Sequence, residues 1–263
     1  VRVLVSPGFS SYNTAMKNLQ AEGRTLAFID FDGVFCDSLT ECFVSSWIAY
    51  HKFHKKDNPV SVSAADRRLY DVYRPFIRRG GDYVILQLCV SEGIQLTKQE
   101  DFDRLEAELG DTADEFHDLF YRARRELLAA DKEFWISINH VFEGLADASK
   151  KWAKSENCYV LSTKEAPFIR EILVHKDIDW PLERIICSGK RRKIDIIREV
   201  LAETGADGGL LFEDQVDHLY RINDPRVKGF LACWGYVKPE WLEQKDFPVI
   251  DQPEMVRLVD GVI

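Results

Sequence analysis

Short apolar runs alternate with segments of helical period from residue 137 onward. "NCYVLS" predicts a strand, 166–175 a helix, "RIICS" a strand, 193–203 a helix, "GLLFE" a strand and "KGFLAC" a further one. That alternation predicts a parallel sheet covered by helices on both faces. Three apolar stripes support it: Phe142, Leu145, Ser149 and Trp152; Phe168, Ile172 and His175; and Ile194, Ile197 and Leu201. Each set recurs at the spacing that places side chains on one helical face, which is the pattern of a core stripe. Pro167 falls in the first turn of its helix, where a missing N–H costs nothing.

Residues 39 to about 136 read differently. "TECFVSSWIAYH", "AADRRLYDVYRPFI", "DFDRLEAELG" and "TADEFHDLFYRARRELLAA" are all amphipathic at helical period, with almost no strand signal between them. Ahead of them stands one strand, "TLAFID". The chain therefore divides into an α/β core of residues 1–38 and 137–263 and an all-helical insertion of residues 39–136. The insertion follows the first strand, so it is expected over that strand's carboxyl end, where open parallel sheets bind ligands. A helical lid is the simplest geometry, with hinges near 37–39 and 134–137.

Composition narrows the function classes. With 263 residues and 46% apolar content the chain can bury a full core, and a net charge of −9 argues against nucleic acid or an anionic membrane as main partner. Six cysteines without a C-x-x-C pair signal neither zinc nor a disulfide framework, and buried free thiols in a reducing cytoplasm are expected. The longest apolar run, "YVILQLCV", is far short of a membrane span, and "VRVLV" is too short for a signal-peptide core.

The candidate chemistry lies at predicted strand ends. Asp30 and Asp32 follow the first strand, and Gly33 lets the backbone turn sharply behind them. Close carboxylates repel unless a cation lies between them, and Mg²⁺ is the natural one: it prefers oxygen and is usually held by one or two carboxylates plus a substrate phosphate. A plainer reading makes both acids turn formers, since Asp-Gly is a common loop signal. "GLLFED" ends in a second pair, Glu213 and Asp214, with Asp217 soon after; "YVLS" ends in Ser162, and Lys193 opens a helix. Carboxylates for a metal with a hydroxyl and a lysine for an anion describe a phosphoryl-transfer site.

These motifs resemble the haloacid dehalogenase superfamily on its aspartate-nucleophile phosphatase side. The likeness covers most of residues 25–235: "FIDFDGV" for its first motif, "YVLS" for the second, a lysine ahead of a helix for the third and "LLFED" for the fourth. "VFEGLADASKKWA" and "FLACWGY" resemble the phosphoglycolate phosphatase and beta-phosphoglucomutase branch, in which a helical cap is inserted between the first two motifs. The resemblance implies Asp30 as nucleophile, forming an aspartyl-phosphate, and Asp32 as general acid and then base. It also implies Mg²⁺ held by Asp30, the backbone carbonyl of Asp32, Asp214 and Glu213. Ser162 would hydrogen-bond the phosphoryl group and Lys193 would neutralise charge.

The chain departs from the pattern in places. His218 stands where the family often has its last acid, and Asp217 precedes it by one residue, as an outer contact or a helix cap. Thr163 replaces a common amide. Lys190 and Lys193 both suit the third motif, with Lys193 favoured because the helical period starts there.

Substrate contacts are expected from Ser162, Thr163 and Gly33 in the core and from "RPFIRRGGDY" in the insertion, where Arg74, Arg78 and Arg79 flank a glycine pair. The three offer a guanidinium to an anionic leaving group, with Arg78 and Arg79 expected as the substrate contacts; a solvated helix end before a Gly-Gly turn is the alternative. "HKFHKK" reads better as a basic helix terminus than as a metal site, and Trp234 and Trp241 as packing anchors.

The reading is a Mg²⁺-dependent phosphatase of a small phosphate monoester. A phosphomutase shares all four motifs and would be separated by product analysis. A dehalogenase would not need Asp32 and Asp214 together, and an idle binding module would not need every chemical residue type. Substrate identity and oligomeric state stay open.

Overall fold

The computed structural model describes residues 23–55 and 63–263. Its main sheet has six strands: β1 (Thr25–Ile29), β4 (Cys158–Ser162), β5 (Ile185–Cys187), β6 (Gly208–Glu213), β7 (Val227–Ala232) and β8 (Val249–Ile250). They lie in the order β5-β4-β1-β6-β7-β8, and every pairing is parallel.

Alternate residues of the central strand β1 serve opposite faces, as a period of two requires. Leu26 and Phe28 pack with Ile194, Ile197 and Leu201 of helix α9 (Lys193–Thr204) and with Val216 and Leu219 of α10 (Val216–Tyr220). Ala27 and Ile29 face the other side. There, Leu145 and Trp152 of α7 (Glu143–Trp152), Phe168 and Ile172 of α8 (Ala166–His175) and Met255 of α11 (Gln252–Asp260) complete the core. Helices therefore cover both faces of a parallel, Rossmann-like sheet, as the alternation predicts.

Between a short strand β2 (Cys36–Asp37) and its antiparallel partner β3 (His140–Val141), the chain is helical: α1 (Leu39–Phe53), α2 (Ala64–Tyr73), α3 (Asp82–Glu92), α4 (Gln99–Leu109), α5 (Asp111–Ala130) and α6 (Lys132–Ser137). "YVILQLCV" lies in α3, packed against α1, α2 and α5; it is apolar all round because it is surrounded. Among the described residues, no helix is long and apolar enough to cross a membrane.

Several expectations are corrected. His175, placed on a core stripe, is exposed, because the buried face of α8 runs through Phe168, Ile169, Ile172 and Leu173. Not all thiols are buried: Cys187 and Cys233 are exposed. Residues 134–137, expected as a hinge, belong to α6, whose start is capped by the Asp131 carboxylate accepting from the Phe134 N–H at 2.9 Å. The chain crossings are instead paired to each other, Cys36 opposite Val141 and Asp37 opposite His140. Residues 1–22, most of the stretch 1–24 that precedes the first strand and for which the sequence offers no functional account, and Lys56 of the basic run lie outside the described residues.

Candidate active site

The sheet order brings three strand ends together. β1 lies between β4 and β6, with Ile29 level with Val160 on one side and Phe212 on the other. Asp30, Ser162 and Glu213 consequently emerge along one rim, where the chain leaves β1 for both sides of the sheet.

Lys193 joins two of the acids. Its Nζ is 2.6 Å from Asp30 Oδ1 and 2.6 Å from Glu213 Oε2. Glu213 Oε1 accepts from the backbone N–H groups of Asp214 and Gln215, at 3.2 and 3.1 Å. Asp214 Oδ2 accepts from the Tyr236 N–H at 2.9 Å. Gly33 is required beside it: its φ is +91°, and a Cβ there would lie 2.0 Å from Asp214 Oδ2.

Oxygens of Asp30, Glu213 and Asp214 lie within 4.8 Å of one another, all buried. Burial, together with the Glu213 charge, pushes Asp30 up to about 6 against the pull of Lys193. Burial pushes Asp214 further, to about 8, with Arg74 offsetting only part of it. Three buried carboxylates outnumber the Lys193 and Arg74 charges, and their all-oxygen donor set fits a hard divalent cation such as Mg²⁺. The Asp32 carboxylate is not in this cluster.

Asp32 belongs to a second network that sequence reasoning missed. Its Oδ1 accepts from Lys164 Nζ at 2.8 Å and from Ser38 Oγ at 2.5 Å. Lys164 also lies 3.5 Å from Glu41 Oε2, and Glu41 is gripped through both oxygens by Arg124 at 2.8 and 2.7 Å. The side chains of Lys164, Glu41 and Arg124 are almost wholly buried. Burial alone would raise Asp32, but Lys164 and Arg124 more than offset it and hold the carboxyl below its ordinary value. Glu41 is likewise held at about 2, burial being overcome by Arg124 and then Lys164.

One signal was available for these residues. Arg124 shares the stripe of Phe116, Phe120 and Leu127 on α5, and Glu41 stands among the buried residues at the start of α1. A charge on an apolar face implies a buried partner.

The remaining candidates divide. Asp30, Asp32, Thr163, Lys164, Lys193, Glu213, Asp214 and His218 line one pocket of about 430 Å³, counting its part open to solvent. Ser162 is buried directly beneath, its Oγ accepting from the Lys164 N–H at 3.4 Å. The Thr163 carbonyl accepts from Tyr121 O–H at 3.1 Å. His218 is partly buried in the pocket wall, and burial followed by the Lys193 charge brings its imidazole down to about 3, which keeps it neutral.

Lys190 is exposed and pairs with Asp114, far from the role open to Lys193. Arg78 and Arg79 do reach the pocket, but protein carboxylates already meet their charges: Arg78 pairs with Asp103 at 2.7 Å and with Asp217, and Arg79 with Asp82 at 3.2 Å and with Glu106. Asp217 is thus the ion-pair partner of an insertion arginine.

The chain has the haloacid dehalogenase-like fold. A haloacid dehalogenase-like hydrolase from Streptococcus pneumoniae superposes with a TM-score of 0.58 at 14% identity, covering 90% of this chain and 98% of that one. A protein from Lactobacillus delbrueckii assigned as a phosphoglycolate phosphatase gives 0.59 at 14% identity, with the same coverage of 90% and 98%. Protein tyrosine kinase A of Mycobacterium tuberculosis gives 0.51 at 16% identity over 88% of this chain and 93% of that one. The fold alone therefore does not select the reaction. No family model and no curated protein matches the sequence.

Proposed function

We propose that this chain is a member of the haloacid dehalogenase superfamily that hydrolyses a small phosphate monoester through an aspartyl-phosphate. The observation that carries this reading is the separation of the two acids that open the site. Asp30 faces Lys193 and the Asp214 side of the rim, whereas Asp32, two residues on, is held apart by Lys164 and Ser38. Two carboxylates held by different partners, one beside Lys193 and Glu213 and the other beside Lys164 and Ser38, are suited to two roles.

Asp30 is the nucleophile. Its oxygen bonds to phosphorus as the ester P–O bond breaks, and the departing alkoxide takes its proton from Asp32. In the second half Asp32 takes a proton from water, whose oxygen attacks the acyl phosphate; inorganic phosphate leaves and the Asp30 carboxylate is restored. Lys193 balances charge on Asp30 and the incoming phosphoryl oxygens, and the helices over the rim act as a cap that excludes water. Asp30, Asp214 and the Asp32 carbonyl would hold Mg²⁺, with Glu213 close behind. The ion, when bound, supplies charge neutralisation and orientation of the phosphoryl group.

The test uses p-nitrophenyl phosphate. Phosphate release is expected to stop in chelator and return with Mg²⁺. Asp30→Asn is expected to lose about three orders of magnitude or more and form no phosphoprotein, while Asp32→Asn loses about 10²–10⁴-fold and accumulates the adduct in rapid-quench mass spectrometry. Full activity in chelator, or an adduct on the Asp30→Asn chain, would overturn the mechanism.

A further inference from the structure

The network around Asp32 is balanced in charge: two buried carboxylates, Asp32 and Glu41, stand against two buried cations, Lys164 and Arg124. Replacing such a set by apolar side chains of similar size is often neutral or stabilising, so stability alone does not account for it.

Its bonds are shared unevenly. Glu41 Oε1 accepts from Arg124 Nε at 2.8 Å, Ser45 Oγ at 2.7 Å and Trp135 Nε1 at 3.3 Å, and Oε2 accepts from Arg124 Nη2 at 2.7 Å. So well supplied, Glu41 draws Lys164 Nζ only to 3.5 Å, whereas Asp32 holds it at 2.8 Å. Rings keep Arg124 in place: its guanidinium carbon lies 4.4 Å from the centroid of Phe120 and 5.4 Å from those of Tyr121 and Phe168.

The consequence falls on Asp32. Lys164 Nζ and Ser38 Oγ both donate to its Oδ1, which leaves Oδ2 as the oxygen that exchanges protons with the pocket. A carboxyl pinned through one oxygen presents the other at a fixed place, and proton transfer depends on that placement. Arg124 comes from α5, Glu41 from α1 and Lys164 from the loop after β4. The same α5 steadies that loop at a second point, through the Tyr121 O–H on the Thr163 carbonyl at 3.1 Å.

We infer that Arg124 is a positioning residue for proton transfer: by saturating Glu41 it leaves Lys164 to Asp32, whose second oxygen is thereby aimed at the leaving oxygen of the ester. The inference rests on the phosphatase reading for the role of Asp32. Without Arg124, Glu41 is a buried charge short of a partner and takes Lys164 for itself.

The test uses leaving groups that differ in their need for a proton. Phenyl phosphate needs one as its P–O bond breaks; 2,4-dinitrophenyl phosphate does not, because its phenolate is stable without it. The ratio of kcat/KM for the second ester over the first, with Mg²⁺ present, reports how well the acid is placed, and it excludes the later hydrolysis of the phosphoenzyme. Arg124→Met is expected to raise the ratio about tenfold or more, and the double variant Arg124→Met/Glu41→Gln to bring it back to within about threefold of wild type. Arg124→Lys keeps the charge but not the two-oxygen grip; it is expected to raise the ratio about threefold, and it decides the matter if Arg124→Met does not fold. Melting curves establish which variants are folded.

A merely structural Arg124 would lower turnover of both esters alike. An unmoved ratio in the folded single variant, or a raised ratio that Glu41→Gln does not reverse, would overturn the inference. Crystal structures of the same variants need no turnover: Lys164 Nζ is expected to leave Asp32 for Glu41 in Arg124→Met and to return in the double variant. That exchange in a chain that hydrolyses neither ester keeps the network and removes the phosphatase reading. Hydrolysis with Lys164 unmoved in Arg124→Met removes the inference and keeps the reading.

Discussion

Asp30 and Asp32 stand one residue apart in a buried crevice, yet their proton affinities move in opposite directions. Burial, with Glu213 beside it, raises the first to about 6; Lys164 and Arg124 overcome burial and lower the second. Lys164→Met should therefore let Asp32 rise. The limb of the kcat/KM profile that reports Asp32 is expected to move to higher pH, and Lys164→Arg to move it much less. Profiles for p-nitrophenyl phosphate between about pH 4 and about pH 9 decide this. A lower plateau with unmoved limbs would make Lys164 a packing residue only. The residues the sequence made legible are those at strand ends, because the end of an apolar run marks where a carboxylate can leave the core. Lys164, Glu41 and Arg124 escaped because their partners are far away in sequence, Glu41 and Arg124 being 83 positions apart.

Among the elements, the loop after β6 ties the insertion to the core. Gln215 clasps the 3-10 turn Arg74–Phe76, its side-chain amide donating to the carbonyls of Pro75 at 3.0 Å and Ile77 at 2.8 Å, and its neighbour Asp214 is a candidate metal ligand. Gln215→Ala would leave the Pro75 and Ile77 carbonyls without that donor, at a cost of about 1–3 kcal/mol each where water cannot replace it. Hydrogen exchange at the amides of residues 76–79 is expected to quicken. KM for p-nitrophenyl phosphate should rise several-fold, with kcat changing less. Unchanged exchange would show that the turn is held by packing instead. The long helices and five of the six main-sheet strands were legible from period alone. The two-residue strands β2, β3 and β8 were not, since a pair of residues has no period. α3 was unassigned for the opposite reason, a run with no polar face to set its phase.

At the scale of the whole molecule, alternation predicted a parallel sheet under helices, but strand order depends on contacts between distant segments and left no mark in any single run. The net charge of −9 likewise hides a pocket lined by six basic side chains, because composition averages over place. The pairing of β2 with β3 bears on how the core can carry so large an insertion. Cys36 and Val141 are paired opposite each other, so roughly one hundred residues amount to the loop of a hairpin closed at its base. Closing such a loop costs entropy that grows only with the logarithm of its length, about 0.6 kcal/mol for each doubling. The sheet is thereby nearly indifferent to the length of chain between Asp37 and His140. Lengthening the polar connection between α4 and α5 at Gly110 by about ten Gly/Ser residues is expected to shift the unfolding free energy by no more than about 1 kcal/mol, read from denaturant titration. A loss several times larger would mean that the core feels the insertion through more than its two tethered ends. Within that tolerance, the contents of the loop are free to change while the rim that holds Asp30, Lys193 and Asp214 stays as it is.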